Sequence, residues 1–195
     1  MTPFVRLSAA ALVMPEDRID TDILFPARFL LLMEREGLGR YLCYDRRHDG
    51  DVAVANPFDD AAGPIGVLIA GAEFGCGSSR EQAVWALADF GICCIFAESF
   101  GEIFAANCVR NGVLAVTLPR EQLGLLADMA AAGPLDVDLP AQRVGGGNGI
   151  AFDVQPATKK RLLNGWDEID TILGDATASI AGFETVQRTL QPWLY

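Results

Sequence analysis

Two serines and an arginine follow one another in the segment Phe74–Gln82, which reads FGCGSSREQ. The segment lies between an apolar run and a predicted helix, so Ser78, Ser79 and Arg80 stand where that helix begins. One interpretation is a capping box, in which Ser78 or Ser79 pairs with the acid or amide three residues later. The other is an anion site, in which free amide groups and the positive helix end face a carboxylate. The two glycines of the segment suit either kind of turn.

Arg80 favours the anion site. A cation in the first helical turn opposes the helix dipole, so its presence needs another reason. Bidentate binding of a carboxylate by the guanidinium would supply that reason.

A serine in this turn could also act as a base, but only with help. A lone hydroxyl is not ionised at neutral pH, and a helix terminus contributes at most about 2 kcal/mol, or roughly 1.5 pKa units. Arg80, further amide donors, exclusion of water and a metal-activated substrate would have to act together.

No other catalytic set stands out. The single histidine, His48, lies in the polar stretch 45–51 and is predicted to be a solvated loop residue, which gives little support to a Ser-His-Asp arrangement. The glycine turn is not followed by Gly-Lys-Ser/Thr and does not match GxGxxG, so it is not a phosphate-binding loop.

The five cysteines are Cys43, Cys76, Cys93, Cys94 and Cys108. Their odd number and the absence of CxxC spacing argue against a disulfide framework or a structural zinc site. An iron–sulfur cluster needs three or four convergent cysteines, which this pattern does not show. Any cluster must therefore come from another polypeptide, and the cysteines indicate a reduced, cytosolic protein.

Composition excludes other classes. The chain has 195 residues, 51% of them hydrophobic, which is typical of one globular domain. Its formal net charge of −11, with only two lysines, argues against binding to nucleic acid or to anionic membranes. The apolar runs are too short to cross a bilayer, and the apolar stretch near the start is too short for a signal peptide.

Residues 65–119 predict alternating strands and helices. We expect strands over Ile65–Ala70, Ile92–Ala97 and Val113–Leu118, with helices over Arg80–Phe90 and Ser99–Asn111 between them. The second helix would turn Phe100, Ile103, Phe104 and Cys108 inward. The order βαβαβ implies parallel strands with right-handed crossovers, and so an α/β fold.

The flanking regions are less regular. Phe4–Val13 predicts a strand, Thr21–Phe25 a short strand, and Ala27–Tyr44 a helix that breaks near its two glycines. The polar, turn-rich residues 46–64 predict a loop or a mobile flap. Helical pieces are predicted over 158–164, 166–173 and 176–190.

Four motifs in this order resemble the swivel domain of the aconitase superfamily, in particular the family of isopropylmalate dehydratase small subunits. They are Phe74–Glu81; Asp20-Thr21-Asp22 with Pro26–Leu30; Ser99-Phe100 with Ile103-Phe104 and Asn107; and Leu162–Gly165 with Asp167 and Ile169. The resemblance covers nearly the whole chain. It implies a swivelling β/β/α three-layer domain over residues 1–195, with mobile loops at 30–64 and a C-terminal helical extension at 157–195.

The resemblance also implies an activity. Enzymes of this family isomerise a 2-substituted malate by dehydration and rehydration, here 2-isopropylmalate and 3-isopropylmalate in leucine biosynthesis. A cytoplasmic large subunit is implied as the partner, and it would hold the 4Fe-4S cluster that binds the substrate hydroxyl and carboxylate. This chain would itself hold no metal.

Site residues are carried over by position. Ser78 matches the serine that removes the carbon-bound proton, and Ser79 and Arg80 match groups that bind a substrate carboxylate. Asp22 matches an acid that helps to order the site, although a cap or turn role stays open, and Gly77 shapes the turn.

Two further positions in the motifs could have an ordinary structural role instead of a role in the site. Leu31 stands where some tricarboxylate-specific relatives carry arginine, so it would suit an isopropyl group, unless Leu30–Leu32 are simply core. Cys76 is interpreted as a small residue that lines the turn.

The chain departs from the family pattern at several positions. Gln82 replaces a usual histidine, Arg18 a common asparagine, and Asp170 a common glycine, and the segment 45–47 differs. A related hydro-lyase small subunit, acting on dimethylmalate, citramalate or a similar 2-hydroxy diacid, is the runner-up. A catalytically idle scaffold subunit is a third hypothesis.

Overall fold

The computed structural model describes residues 1–58, 63–147 and 149–195. Within them the strands are β1 (Arg6–Met14), β2 (His48–Asp49), β3 (Val52–Ala53), β4 (Ile65–Ala70), β5 (Cys94–Ala97), β6 (Leu114–Thr117), β7 (Leu135–Asp138), β8 (Arg143–Val144) and β9 (Ile150–Ala151). The helices are α1 (Thr21–Leu24), α2 (Tyr44–Arg47), α3 (Glu81–Phe90), α4 (Glu102–Arg110), α5 (Arg120–Ala132), α6 (Pro156–Asn164) and α7 (Glu168–Leu190). Short 3-10 turns cover Ala27–Phe29, Leu38–Tyr41 and Pro192–Leu194.

The central sheet has the strand order β6-β5-β4-β1-β7-β8-β9. Strands β6, β5, β4 and β1 run parallel, whereas β7, β8 and β9 continue from β1 in antiparallel pairing. All six residues of β4 are buried, as expected for a central parallel strand that is covered on both faces. The predicted mixed α/β fold with its βαβαβ core is confirmed.

Two apolar layers cover the sheet. Leu68 and Ile95 face a cluster beneath α3 and α4, while Val67 and Phe96 point the opposite way, toward Leu126 of α5. The alternation follows from the strand period of two residues. Helices α3 and α4 therefore lie on one side of the sheet and α5 on the other, and the ends of β4 and β5 deliver the chain to α3 and α4.

The region before β4 differs from expectation. The strand predicted over Thr21–Phe25 is wrong: Thr21–Leu24 is one turn of helix, and the Asp20 carboxylate accepts the Ile23 N–H at 2.8 Å. An aspartate at the N-cap satisfies a helix donor that an extended segment would not present. The helix predicted from Ala27 is wrong: residues 27–43 contain two short 3-10 turns, Ala27–Phe29 and Leu38–Tyr41, in its place, and Gly37 before the second turn is in the left-handed conformation. Part of the flap predicted at 46–64, residues 59–62, lies outside the described residues.

The C-terminal residues form two helices. Pro156 opens α6, where its missing N–H costs nothing, and Gly165 ends it in the left-handed conformation. Asp167 and Asp170 then cap α7 reciprocally, and the helical pieces predicted over 166–173 and 176–190 join into one 23-residue helix. No helix among the described residues is long and apolar enough to span a membrane.

Candidate active site

The loop after β4 is hydrogen-bonded to the segment that leads into α1. Gly75 donates its N–H to the Ile19 carbonyl at 2.8 Å, and the Thr21 N–H donates to the Cys76 carbonyl at 3.0 Å. The buried Thr21 hydroxyl donates to the Ser78 carbonyl at 2.8 Å. This segment therefore determines where the Ser78 backbone lies.

The same loop is bonded on its other side to the residues before α4. The Phe74 N–H donates to the Ser99 carbonyl at 3.0 Å, and the Gly101 N–H donates to the Phe74 carbonyl at 2.9 Å. A Cβ on Gly101 would approach the Gly75 carbonyl oxygen to 2.6 Å, so the two backbones can only come this close with glycine there. Because residues 99–101 pair with the loop, α4 begins at Glu102 rather than at the predicted Ser99.

Gly75 is the tightest point of the loop. It adopts φ +72°, and a Cβ on it would lie 2.2 Å from Cγ of Phe104, whose buried ring packs against Phe74. We expect Gly75→Ala to lower the free energy of unfolding in urea by about 2–4 kcal/mol, because left-handed strain adds to overpacking. Gly37→Ala is the matched control: Gly37 adopts φ +81° with no described atom near such a Cβ, so only strain of about 1 kcal/mol applies. Equal losses in the two variants would contradict the Phe104 clash.

The loop forms one wall of an open pocket of about 270 Å³. The pocket is lined by Thr21, Gly75, Cys76, Gly77, Ser78, Ser79, Arg80, Gly101, Glu102, Ile103, Phe104 and Asn107. Gly77, Ser78 and Ser79 are exposed to solvent. Four of the predicted site residues, Gly77 to Arg80, thus share one cleft that opens to the outside.

Asp22 joins the site through Arg80. The Arg80 guanidinium donates to the Asp22 carboxylate, and the side chains are 14% and 53% exposed respectively. Asp22, which remains accessible to solvent, therefore holds the Arg80 guanidinium at the pocket wall. The cap role that the sequence left open for Asp22 belongs instead to Asp20.

Two helices begin at this pocket. Arg80 is the N-cap residue of α3, with φ −134°, and Gly101 is the N-cap residue of α4. Neither helix start receives a side-chain cap within the described residues, so the capping boxes predicted from Ser78 and Ser79 are wrong. The helix begins one residue later than predicted, which leaves both serines in the loop. Two positive helix ends and one guanidinium face the same cleft, an arrangement that favours anions.

Sequence reasoning overlooked part of the lining. Ile103, predicted to face inward, is 55% exposed and lines the pocket. Thr21 and Asn107 are buried polar side chains at the cleft, and Glu102 stands at its rim. Thr21, Ile103 and Asn107 stood in the motifs that carry the family resemblance, but no site role was predicted for them, because each lies far from Ser78 in sequence and only the fold brings them together.

Leu31 and His48 lie apart from this group. Leu31 is 92% exposed and lines a separate groove formed by residues 31–41. His48 stacks on Tyr44 with ring centroids 3.9 Å apart. Neither is among the described residues that line the Ser78 pocket.

The cysteines do not fit a cluster site. Cys43, Cys94 and Cys108 are fully buried, and burial raises the pKa of the Cys43 thiol to about 12 and the pKa values of the other two as well. No group of three potential metal ligands occurs within the described part of the chain.

Comparisons with known proteins, by family model, by sequence and by structure, give consistent matches. A family model described as the aconitase C-terminal domain matches residues 1–121. The 3-isopropylmalate dehydratase small subunit of Paramagnetospirillum magneticum is 42% identical over 202 residues, with both chains covered in full. That of Caulobacter vibrioides is 43% identical over 202 residues, covering 100% of this chain and 99% of its own.

A crystal structure of 3-isopropylmalate dehydratase from Methanocaldococcus jannaschii aligns with a TM-score of 0.67. It is 22% identical and covers 91% of this chain and 99% of its own. At this identity the likeness is one of fold.

Proposed function

The chain belongs to the aconitase C-terminal domain family, and from that membership we propose that it serves as the small subunit of a 3-isopropylmalate dehydratase. The reaction is the interconversion of 2-isopropylmalate and 3-isopropylmalate by dehydration and rehydration, a hydro-lyase step of leucine biosynthesis. Full-length relatives with this name favour it over the related diacid dehydratases.

One observation carries the proposal for the site. Ser78, Ser79 and Arg80 line a cleft that opens to solvent at the uncapped starts of α3 and α4. A dicarboxylate has the charge that this cleft attracts. Because the cleft is open, a second polypeptide can complete it around the substrate.

Each residue then has a separate task. Ser78 removes the proton on carbon, with its alkoxide character supported by the helix ends and Arg80. Ser79 and Arg80 hold a substrate carboxylate, and Asp22 keeps the guanidinium in position. Gly77 adopts φ +91°, which lets the chain turn so that Ser78 faces the cleft.

We place the 4Fe-4S cluster on the large subunit, since the thiols of this chain do not converge. When bound there, the cluster supplies a Lewis acid for the substrate hydroxyl and carboxylate. We assign the assembly to the cytoplasm, where free thiols persist.

Leu31 lies in a separate groove of the isolated chain, so we propose that it contacts the isopropyl group after the segment around it moves toward the cleft in the assembly. We propose that residues 1–195 form one swivel domain with a helical extension at 157–195. The mobile loops predicted at 30–64 stay a proposal for the described part of that segment, and residues 59–62 lie outside it.

The proposal is tested by purifying the chain with the large subunit of a matching dehydratase, reconstituting the cluster without oxygen, and following isopropylmalate isomerisation. We expect turnover by the pair and none by this chain alone. Turnover by the isolated chain would show that it does not need the large subunit and would refute the proposal. Activity confined to dimethylmalate or citramalate would assign the subunit to the runner-up enzyme, and binding without turnover of any of these acids would indicate a scaffold.

A further inference from the structure

Helix α7 carries a long apolar surface that nothing in the described chain covers. None of its residues is buried. Large apolar side chains that are at least half exposed recur at helical spacing and continue into the terminal 3-10 turn: Ile169, Ile172, Leu173, Phe183, Val186, Leu190, Trp193, Leu194 and Tyr195. We call these residues the α7 face. With 23 residues at 1.5 Å each, the helix is about 34 Å long.

Such a surface is unusual on a protein that stays alone in water. A helix gains most of its stability from packing an apolar face, and contiguous exposed apolar patches mark interaction sites. The face is long enough to contribute a large share of a stable interface, which buries about 1,200–2,000 Å² in total.

A second feature lies where α7 begins. Arg35, Arg110 and Arg161 line a cavity of about 290 Å³, which we call the arginine pocket, together with Glu81, Asn111, Asp167, Glu168 and Ile169. Glu168 pairs with Arg110, and Glu81 accepts from Asn111. Arg161 differs: its Nε and Nη2 are buried and have no hydrogen-bond partner among the described residues.

Unpaired guanidinium donors in a buried position are costly, about 1–3 kcal/mol each, so Arg161 is expected to turn its side chain toward an acceptor that a partner brings into the cavity. A carboxylate matches the planar fork of Arg161 best. Arg35 lines the same cavity, and its guanidinium lies 4.7 Å from the centre of the Trp85 ring.

The arginine pocket adjoins the active site. Glu81 in its wall directly follows Arg80, and α4 lines both cavities, with Glu102 to Asn107 at the Ser78 pocket and Arg110 at the arginine pocket. Ile169, the first residue of the α7 face, stands in the wall of the arginine pocket. The arginine pocket therefore lies between the Ser78 pocket and the start of the α7 face.

From this arrangement, and resting on the proposed function, we infer that the large subunit docks along these three features. Its apolar residues cover the α7 face, and one of its carboxylate side chains enters the arginine pocket. A second copy of this chain is a poorer occupant, because each copy has a net charge of −11 and α7 itself carries four acidic residues against one arginine.

The experiment measures affinity for the purified large subunit by calorimetry, with the full-length chain. We expect Ile172→Asp and Phe183→Asp each to weaken binding at least tenfold while leaving the unfolding curve unchanged, since neither residue is buried. Leu125→Asp is the matched control, because Leu125 is 54% exposed on α5, across the sheet from α3 and α4. Arg161→Gln should weaken binding and reduce its dependence on salt.

If both α7 variants bind the large subunit with wild-type affinity, the inference is wrong. It is also wrong if the wild-type chain forms a homodimer that the two variants disrupt while their affinity for the large subunit stays unchanged. A wild-type chain that binds no large subunit would remove the proposed function as well. If the wild-type pair is fully active but the variants bind the large subunit as the wild type does, only the proposed docking surface is wrong, and the proposed function stands.

Discussion

Ser78→Ala is expected to lower kcat of the reconstituted enzyme by about 10²–10⁴-fold, the usual contribution of a positioned proton-transfer group. Ser78 stands exposed in the cleft, and its hydroxyl takes part in no hydrogen bond within the described part of the chain. The Thr21 hydroxyl binds the Ser78 carbonyl, which alanine retains. The change thus removes the reacting oxygen and leaves the loop intact.

The measurement is steady-state isomerisation, together with affinity for the large subunit and the unfolding midpoint of the variant. Ser8→Ala is the control, because Ser8 is an exposed serine on β1 outside the cleft. Both variants should assemble and unfold like the wild type. A normal kcat in Ser78→Ala would disprove the base assignment, whatever the effect on KM.

Arg80→Gln is expected to lower kcat/KM by about 10²-fold. A hydrogen bond from a charged group contributes about 1.5–3 kcal/mol, and each 1.4 kcal/mol corresponds to a factor of ten. Arg80→Lys keeps the charge but loses the planar fork, so its kcat/KM should fall between those of Arg80→Gln and the wild type.

The variant Asp22→Asn tests the positioning of the Arg80 guanidinium separately from the binding of substrate by Arg80. It removes the charge that holds Arg80 while keeping the shape of the side chain, and Asp22 is more exposed than Arg80. We therefore expect a smaller loss than in Arg80→Gln, mainly in KM. If Arg80→Gln keeps its kcat/KM, the carboxylate-binding role of Arg80 is wrong. If Asp22→Asn costs as much as Arg80→Gln, Asp22 does more than hold the guanidinium.

The elements between residues 65 and 119 could be predicted because each carries a local signal. The strand Ile65–Ala70 is apolar throughout, and Gly91 ends α3 in the left-handed conformation, where only glycine is unstrained. By contrast, Thr21–Leu24 is a single turn of helix. Four residues are too few to distinguish a helical from an extended pattern, and the deciding hydrogen bond from Ile23 to Asp20 is invisible in residue periodicity.

The candidate site was predictable only where it is local. Residues 77–80 are consecutive, so their shared cleft follows from one turn. Thr21 and Asn107 reach the same cleft through tertiary contacts, and the charge on Arg80 gave no means of telling which acid would pair with it. The serines also matched a cap pattern, yet the helix starts one residue too late to use it.

The hydrogen bonds on both sides of residues 74–78 have an energetic consequence. A free loop that closes on a ligand loses conformational entropy, which is subtracted from the affinity. Here Ile19, Thr21, Ser99 and Gly101 already restrict the backbone before any substrate arrives. The entropy of ordering this loop is lost during folding and not during binding. More of the binding free energy between the cleft and a dicarboxylate can therefore hold the dicarboxylate in its reactive orientation.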